Sequence, residues 1–149
     1  MRAVVQRVSR AQVRVGGRPV GSVGTGFAVL VGVEAGDGEA DAQYVVEKVV
    51  GLRAFEDLQG KMNLCLQDVG GGVLLVSQFT LLADCRKGRR PSFTEAAGPD
   101  LAETLYLAVA RGLRERGLSV ATGAFRADME VELVNQGPVT LLLDSRRRF

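Results

Sequence analysis

The chain has 149 residues, 46% of them hydrophobic and 24% charged, with a formal net charge of only +2. That is the composition of about one ordinary globular domain, and it does not announce a chain built for broad nucleic-acid binding. There is no histidine, and cysteine occurs only at Cys65 and Cys85, so a Ser-His-Asp or Cys-His device is excluded and a zinc or haem site is not expected.

No apolar stretch approaches the ~18 residues of a membrane span. The N-terminal residues alternate in polarity and do not form a signal-peptide core. A cytoplasmic protein with free thiols is expected.

Residues 2–15 read as a strand, with Val4, Val8, Val13 and Val15 at roughly period two. Gly16 to Pro19 is a turn and Val20 to Val23 a short return strand. Gly26 to Val33 is nearly continuous in apolar residues, the pattern of a strand covered on both faces. From Asp37 to Leu52 the period changes: Ala42, Val45, Val46, Val49 and Val50 share a helical face, with Asp37 as the expected N-cap. Residues 55–66 read as a hairpin-like connection, and Val73 to Leu82 as a buried strand.

Pro99 to Arg116 is the second predicted helix. Proline suits its first position, Gly117 its stop, and Leu101, Leu105, Ala108, Val109, Gly112 and Leu113 its buried stripe. Leu118 to Ala124, Met129 to Val134 and Val139 to Leu143 complete the strands. The expectation is one α+β domain, residues 1–149, of mainly antiparallel sheets curled into a barrel with two main helices.

Two polar islands interrupt apolar runs. One is Ser77-Gln78-Phe79-Thr80, and the other is Asn135-Gln136-Gly137-Pro138-Val139-Thr140. Buried hydroxyls and amides need partners. A regular strand would put Gln78 and Thr80 on one face, and its open end could offer backbone N–H groups to a developing oxyanion. On spacing alone, each island is better explained as local structure: side chains bonding nearby backbone, and a simple hairpin turn at Gly137-Pro138. Two basic clusters, Arg86-Lys87-Gly88-Arg89-Arg90 and Arg146-Arg147-Arg148, could hold phosphates or be merely solvated. Without histidine, any hydrolysis must lean on the substrate's own groups and on backbone dipoles.

Four blocks in order, residues 1–8, 77–81, 87–93 and 135–140, make the sequence resemble the bacterial-type D-aminoacyl-tRNA deacylases over essentially its whole length. The resemblance implies an ester hydrolase that frees D-amino acids, and glycine, from tRNA, including glycine mischarged onto alanine tRNA, without metal or cofactor. It further implies a homodimer with interfacial sites. Gln78, Phe79 and Thr80 would then serve catalysis, with Ser77 lining the pocket. Gly137 and Pro138, joined by a cis peptide, would enter from the partner subunit and exclude L side chains. Arg7 would brace that pair, Phe93 and Met129 would form pocket wall, and Arg86, Lys87, Arg89 and Arg90 would meet tRNA phosphates. The rival from another class is a non-catalytic nucleic-acid-binding dimer using the basic loop and tail.

Overall fold

A computed structural model describes all 149 residues, Met1–Phe149. Its centre is one long strand, β1 (Arg2–Val15), which serves three partners. On one edge its C-terminal half pairs antiparallel with β2 (Arg18–Val23) and its N-terminal half with β3 (Gly26–Gly32). Helix α1 (Glu39–Gly51) follows, then the two-stranded ribbon of β4 (Phe55–Glu56) and β5 (Met62–Leu64). Strand β6 (Gly72–Ser77) runs into a 3-10 turn, Phe79–Leu82. Helix α2 (Pro99–Glu115), β7 (Ser119–Thr122) and β8 (Glu130–Asp144) complete the chain, with β8 lying antiparallel along the other edge of β1.

The six-stranded sheet is mixed: the expected antiparallel pairings predominate, but two of its pairings are parallel. β3 pairs parallel with β6, and β6 parallel with β7. The physical reason is the connections: α1 lies between β3 and β6, and α2 between β6 and β7, and a helical crossover returns the chain to start the next strand in the same direction. The sheet curls until β2 nears β7. At that point a Cβ on Gly21 would strike the Thr122 carbonyl, so only glycine lets the two backbones approach.

Alternation along the parallel strands feeds two cores. Val29, Val31, Val73 and Leu75 face α1 and α2 and join the larger apolar cluster, whose helical members include Val45, Val49, Leu105, Val109 and Leu113. Ala28, Leu74 and Val76 face the inside of the curl with Val8, Ala11 and Val13. This two-sided burial explains why the Gly26 and Val73 runs lack polar alternation. No helix is long and apolar enough to cross a membrane.

Several boundaries differ from the sequence reading. Helix α1 is capped by Gly38, whose N–H donates to Asp41 Oδ2 at 2.8 Å. Asp37 is instead committed to a buried junction, accepting the Glu34 N–H at 2.7 Å and meeting the Met1 ammonium at 2.7 Å. Leu101 is 37% exposed, and Ala102 and Tyr106 take its place in the buried stripe. The two C-terminal segments form one strand, β8, interrupted at its middle.

Arg146 and Arg148 are not part of a free tail. Arg146 donates to Glu34 Oε1 at 3.2 Å and Asp37 Oδ1 at 3.1 Å, while Arg148 donates to Asp144 Oδ2 at 2.8 Å and to both oxygens of Glu34. Burial pushes the Glu34 and Asp144 carboxyls up. The hydrogen bond from Arg148 and nearby positive charge outweigh this and hold both below their ordinary values.

Candidate active site

The first polar island sits where β6 ends. Gln78 leaves the strand direction, and its N–H donates to Val31 O at 2.8 Å as the chain tightens into the 3-10 turn. The predicted strand to Leu82 therefore stops at Ser77. Leu82 owes its complete burial to packing down onto β3: a Cβ on Gly32 would lie 2.5 Å from Leu82 Cδ2 and 2.9 Å from the Gln78 carbonyl oxygen. Arg2 holds the turn from β1 by donating to Leu81 O at 3.0 Å. Neither Arg2 nor Gly32 was singled out from the sequence. Their roles rest on contacts between residues some 50 to 80 positions apart in the chain, for which one sequence carries no local signal.

The head of a 3-10 turn leaves its first N–H groups without an intraturn carbonyl. Here those are Phe79 and Thr80, and neither donates to a loop, turn or side-chain acceptor. Thr80 Oγ1 accepts a hydrogen bond from the Gln78 side-chain amide, which orients both side chains across the turn. Phe79 is 54% exposed and meets Phe93 edge-on, with ring centroids 5.1 Å apart.

Beside the turn lies a cavity of about 510 Å³. Val76, Ser77, Gln78 and Phe79 line one side, Ala97, Pro99 and Ala102 another, and Phe125, Arg126, Ala127, Met129 and Val131 the third. The parallel pairing explains this convergence. β6 and β7 end at the same side of the sheet, so the turn after β6 and the loop after β7 meet there, and α2 begins there too. No histidine, cysteine or carboxylate lines the cavity. No group of three or more His, Cys, Asp or Glu side chains is placed to hold a metal ion.

The second island is an excursion from β8. Thr140 pairs with Gln6 and Asn135 with Val8, so residues 136–139 are opposed by Arg7 alone. Its polar residues tie the base of this loop. Val139 N–H donates to Asn135 Oδ1 at 2.7 Å, and Thr140 Oγ1 accepts from Asn135 Nδ2 at 3.0 Å and Gln6 Nε2 at 3.3 Å. Buried Arg7 donates from Nε to Gln136 O at 2.9 Å and from Nη1 to Ala54 O at 2.8 Å. The Gly137-Pro138 bond is cis, Gly137 has φ +136°, and both residues are exposed. No residue of 135–140 lines the cavity, so one chain does not bring its two islands together.

The basic loop hangs from an antiparallel bridge between Asp84 and Ser92. Arg86 is clamped by Asp84, donating from Nε at 2.8 Å and Nη2 at 2.7 Å. Those bonds hold the Asp84 carboxyl well below the usual carboxylate range. Lys87, Arg89 and Arg90 are exposed and in no ion pair within the chain, whose Arg and Lys pairs involve other residues.

The sequence matches the family described as D-Tyr-tRNA(Tyr) deacylase over residues 4–144. It is 63% identical over 149 residues to a D-aminoacyl-tRNA deacylase of Anaeromyxobacter dehalogenans, covering all of both chains. It is 57% identical to one of Natranaerobius thermophilus, again covering all of both. Among solved structures, the chain is similar to a c-Myc DNA unwinding element binding protein, with TM-score 0.90, 39% identity and coverage of 97% and 98%. A probable eukaryotic D-amino acid tRNA deacylase shares the fold at TM-score 0.81 and 16% identity, with 95% and 97% covered.

Proposed function

The chain belongs to the D-Tyr-tRNA(Tyr) deacylase family, and from that premise we propose how its residues 1–149, acting as one domain, hydrolyse D-aminoacyl-tRNA. The activity itself is that of an ester hydrolase working in tRNA proofreading. Water adds to the ester carbonyl, the bond to the ribose oxygen breaks, and that oxygen takes a proton as the amino acid leaves. The observation that carries the reading is the head of the 3-10 turn, where Phe79 lines a cavity with no side-chain base and the N–H groups of Phe79 and Thr80 have no loop, turn or side-chain acceptor. They are placed to stabilise the charge that develops on the carbonyl oxygen. The neighbouring ribose 2′-hydroxyl activates the attacking water. Gln78 and Thr80 fix the turn, Ser77 lines the pocket, and Met129 and Phe93 wall it.

A homodimer completes the site. The 136–139 loop of a second copy, braced by its own Arg7, presents Gly137 and Pro138 to the first copy's turn. Backbone atoms there leave no room for an L side chain. Glycine has no side chain to exclude, so glycyl-tRNA is also cleaved, including glycine misplaced on alanine tRNA. Lys87, Arg89 and Arg90 meet tRNA phosphates, and Arg86 serves mainly to brace their loop through Asp84. The work is done in the cytoplasm, where charged tRNA is found.

The test is deacylation of matched D- and L-tyrosyl-tRNA. D-specific cleavage is expected, and equal rates or no cleavage overturn the proposal. A Thr80 nucleophile is the rival mechanism. It lacks a base, and its oxygen already accepts the Gln78 amide. Thr80→Ala should retain measurable turnover, whereas complete loss together with an acyl-enzyme trapped in the wild type would establish the rival. A second function, nucleic-acid binding without catalysis, draws on the similarity to the 39%-identical DNA unwinding element binding protein. It predicts steeply salt-dependent binding to generic DNA and no ester cleavage.

A further inference from the structure

Arg126 is the one charged residue among the twelve that line the cavity. It is exposed, and no carboxylate within the chain pairs with it. Its place is fixed by the loop between β7 and β8. Ala127 N–H donates to Ala124 O at 3.2 Å, closing a tight turn with Arg126 at its third position. There its φ is +64°, a left-handed conformation that glycine adopts most readily. Flanking contacts hold the turn: Phe125 stacks on Tyr106 at 6.0 Å between centroids, and Met129 Sδ lies over Gly123, 2.7 Å from where a Cβ would be. A long cation at a position that favours glycine, unpaired and at the rim of an apolar cavity, is arranged for an anion supplied from outside.

The proposed function puts the ester at the Phe79 and Thr80 N–H groups, and Phe79 lines the same cavity as Arg126. In aminoacyl-tRNA the anion nearest the ester is the phosphodiester on the 5′ side of the terminal nucleoside, one nucleoside away. We propose that Arg126 binds this phosphate and so sets the preference for the nucleotide-linked ester over the same ester without a phosphate. The inference rests on the deacylase reading, and the chemistry is that of a guanidinium on a phosphodiester.

The experiment compares D-tyrosyl-tRNA with 3′-O-(D-tyrosyl)-adenosine, which keeps the ester and the terminal nucleoside but has no phosphate. Arg126→Gly suits it, because glycine relieves the backbone and keeps the fold. The ratio of kcat/KM on tRNA to that on the adenosine ester should fall roughly 3- to 10-fold. The loss should reside in KM for tRNA, and the salt dependence of that KM should weaken by about one phosphate contact. Arg126→Lys should recover most of the ratio. An unchanged ratio and salt slope overturn the proposal, as does an equal loss on both esters, which would mean Arg126 acts through cavity shape. D-specific cleavage by the wild type with no effect of Arg126→Gly removes this inference alone. No cleavage of either ester by the wild type removes the deacylase reading, and this inference with it.

Discussion

Replacing Arg7 with alanine separates the support of the 136–139 loop from the chemistry of the pocket. Arg7 is 6% exposed and gives one hydrogen bond to each of two carbonyls. The Ala54 carbonyl belongs to a residue 3% exposed, so water cannot easily replace the guanidinium, and the loss there is about 1–3 kcal/mol. Gln136 is exposed, so its carbonyl recovers a water partner and adds only about 0.5–1 kcal/mol. The ion pair to Glu56, at 3.7 Å with a 58% exposed carboxylate, adds little. Arg7→Ala should therefore cost about 1.5–4 kcal/mol. Arg7→Lys, which can reach one carbonyl at a time, should cost about half as much. The assay is urea unfolding at fixed protein concentration, since any self-association would shift the midpoint. A loss below about 0.5 kcal/mol for Arg7→Ala would refute the reasoning. Deacylation by the folded fraction should fall at least roughly tenfold if the freed loop belongs to the site. Full activity in a clearly destabilised variant would remove the loop from it.

Gly32→Ala puts a methyl 2.9 Å from the Gln78 carbonyl oxygen and 3.1 Å from Leu81 Cβ; kcat on D-tyrosyl-tRNA should fall roughly 10- to 100-fold, and an unchanged kcat means the turn tolerates the displacement. Gly137→Ala places its Cβ 3.0 Å from Arg7 Nη2 and 2.8 Å from Val139 Cγ2, at a φ that L residues avoid; D-tyrosyl-tRNA cleavage or the D-over-L ratio should drop roughly tenfold, measured as paired initial rates. The junction of Glu34, Asp144 and Arg148 makes stability depend on pH. Both carboxyls are held below their ordinary values in the folded chain. Their contribution is therefore complete above the unfolded carboxylate range, about pH 4, and is lost as pH falls through the lowered folded values. Arg148→Ala should cost about 1 kcal/mol at pH 7 and less at pH 3, and a gap in urea midpoint that does not narrow on acidification contradicts this.

Local periodicity revealed much of the fold. Strand β1 and helix α2 were legible because valines at period two and the Leu105-Val109-Leu113 stripe report one buried face each. The end of β6 was not. Phe79-Thr80-Leu81-Leu82 continues an apolar run whether the chain stays extended or coils, and what coils it is the space over Gly32. Asp37 looked like a cap because it precedes a helix, yet its carboxylate answers to the Met1 ammonium, far away in sequence. Parallel pairing had a signal in the alternation of strand and helix from Gly26 to Thr122, obscured by the many antiparallel partners of β1. The two islands were legible as residues, since polar side chains in apolar runs stand out. Their geometry was not: Asn135 and Thr140 are the clasp of the loop, with Gly137 and Pro138 at its exposed part.

Strand β1 carries Arg2, which holds the 3-10 turn, and Arg7, which holds the 136–139 loop. Five residues of extended chain set these anchors about 17 Å apart. The strand thus acts as a ruler between the turn a chain keeps for its own proposed site and the loop it lends to the other, and its length is fixed by pairing along both edges. A pair of copies that delivers one loop to one turn around a two-fold axis delivers the other loop to the other turn as well. Both sites are then made in a single docking event, and any change that lengthens or bends the ruler is felt twice.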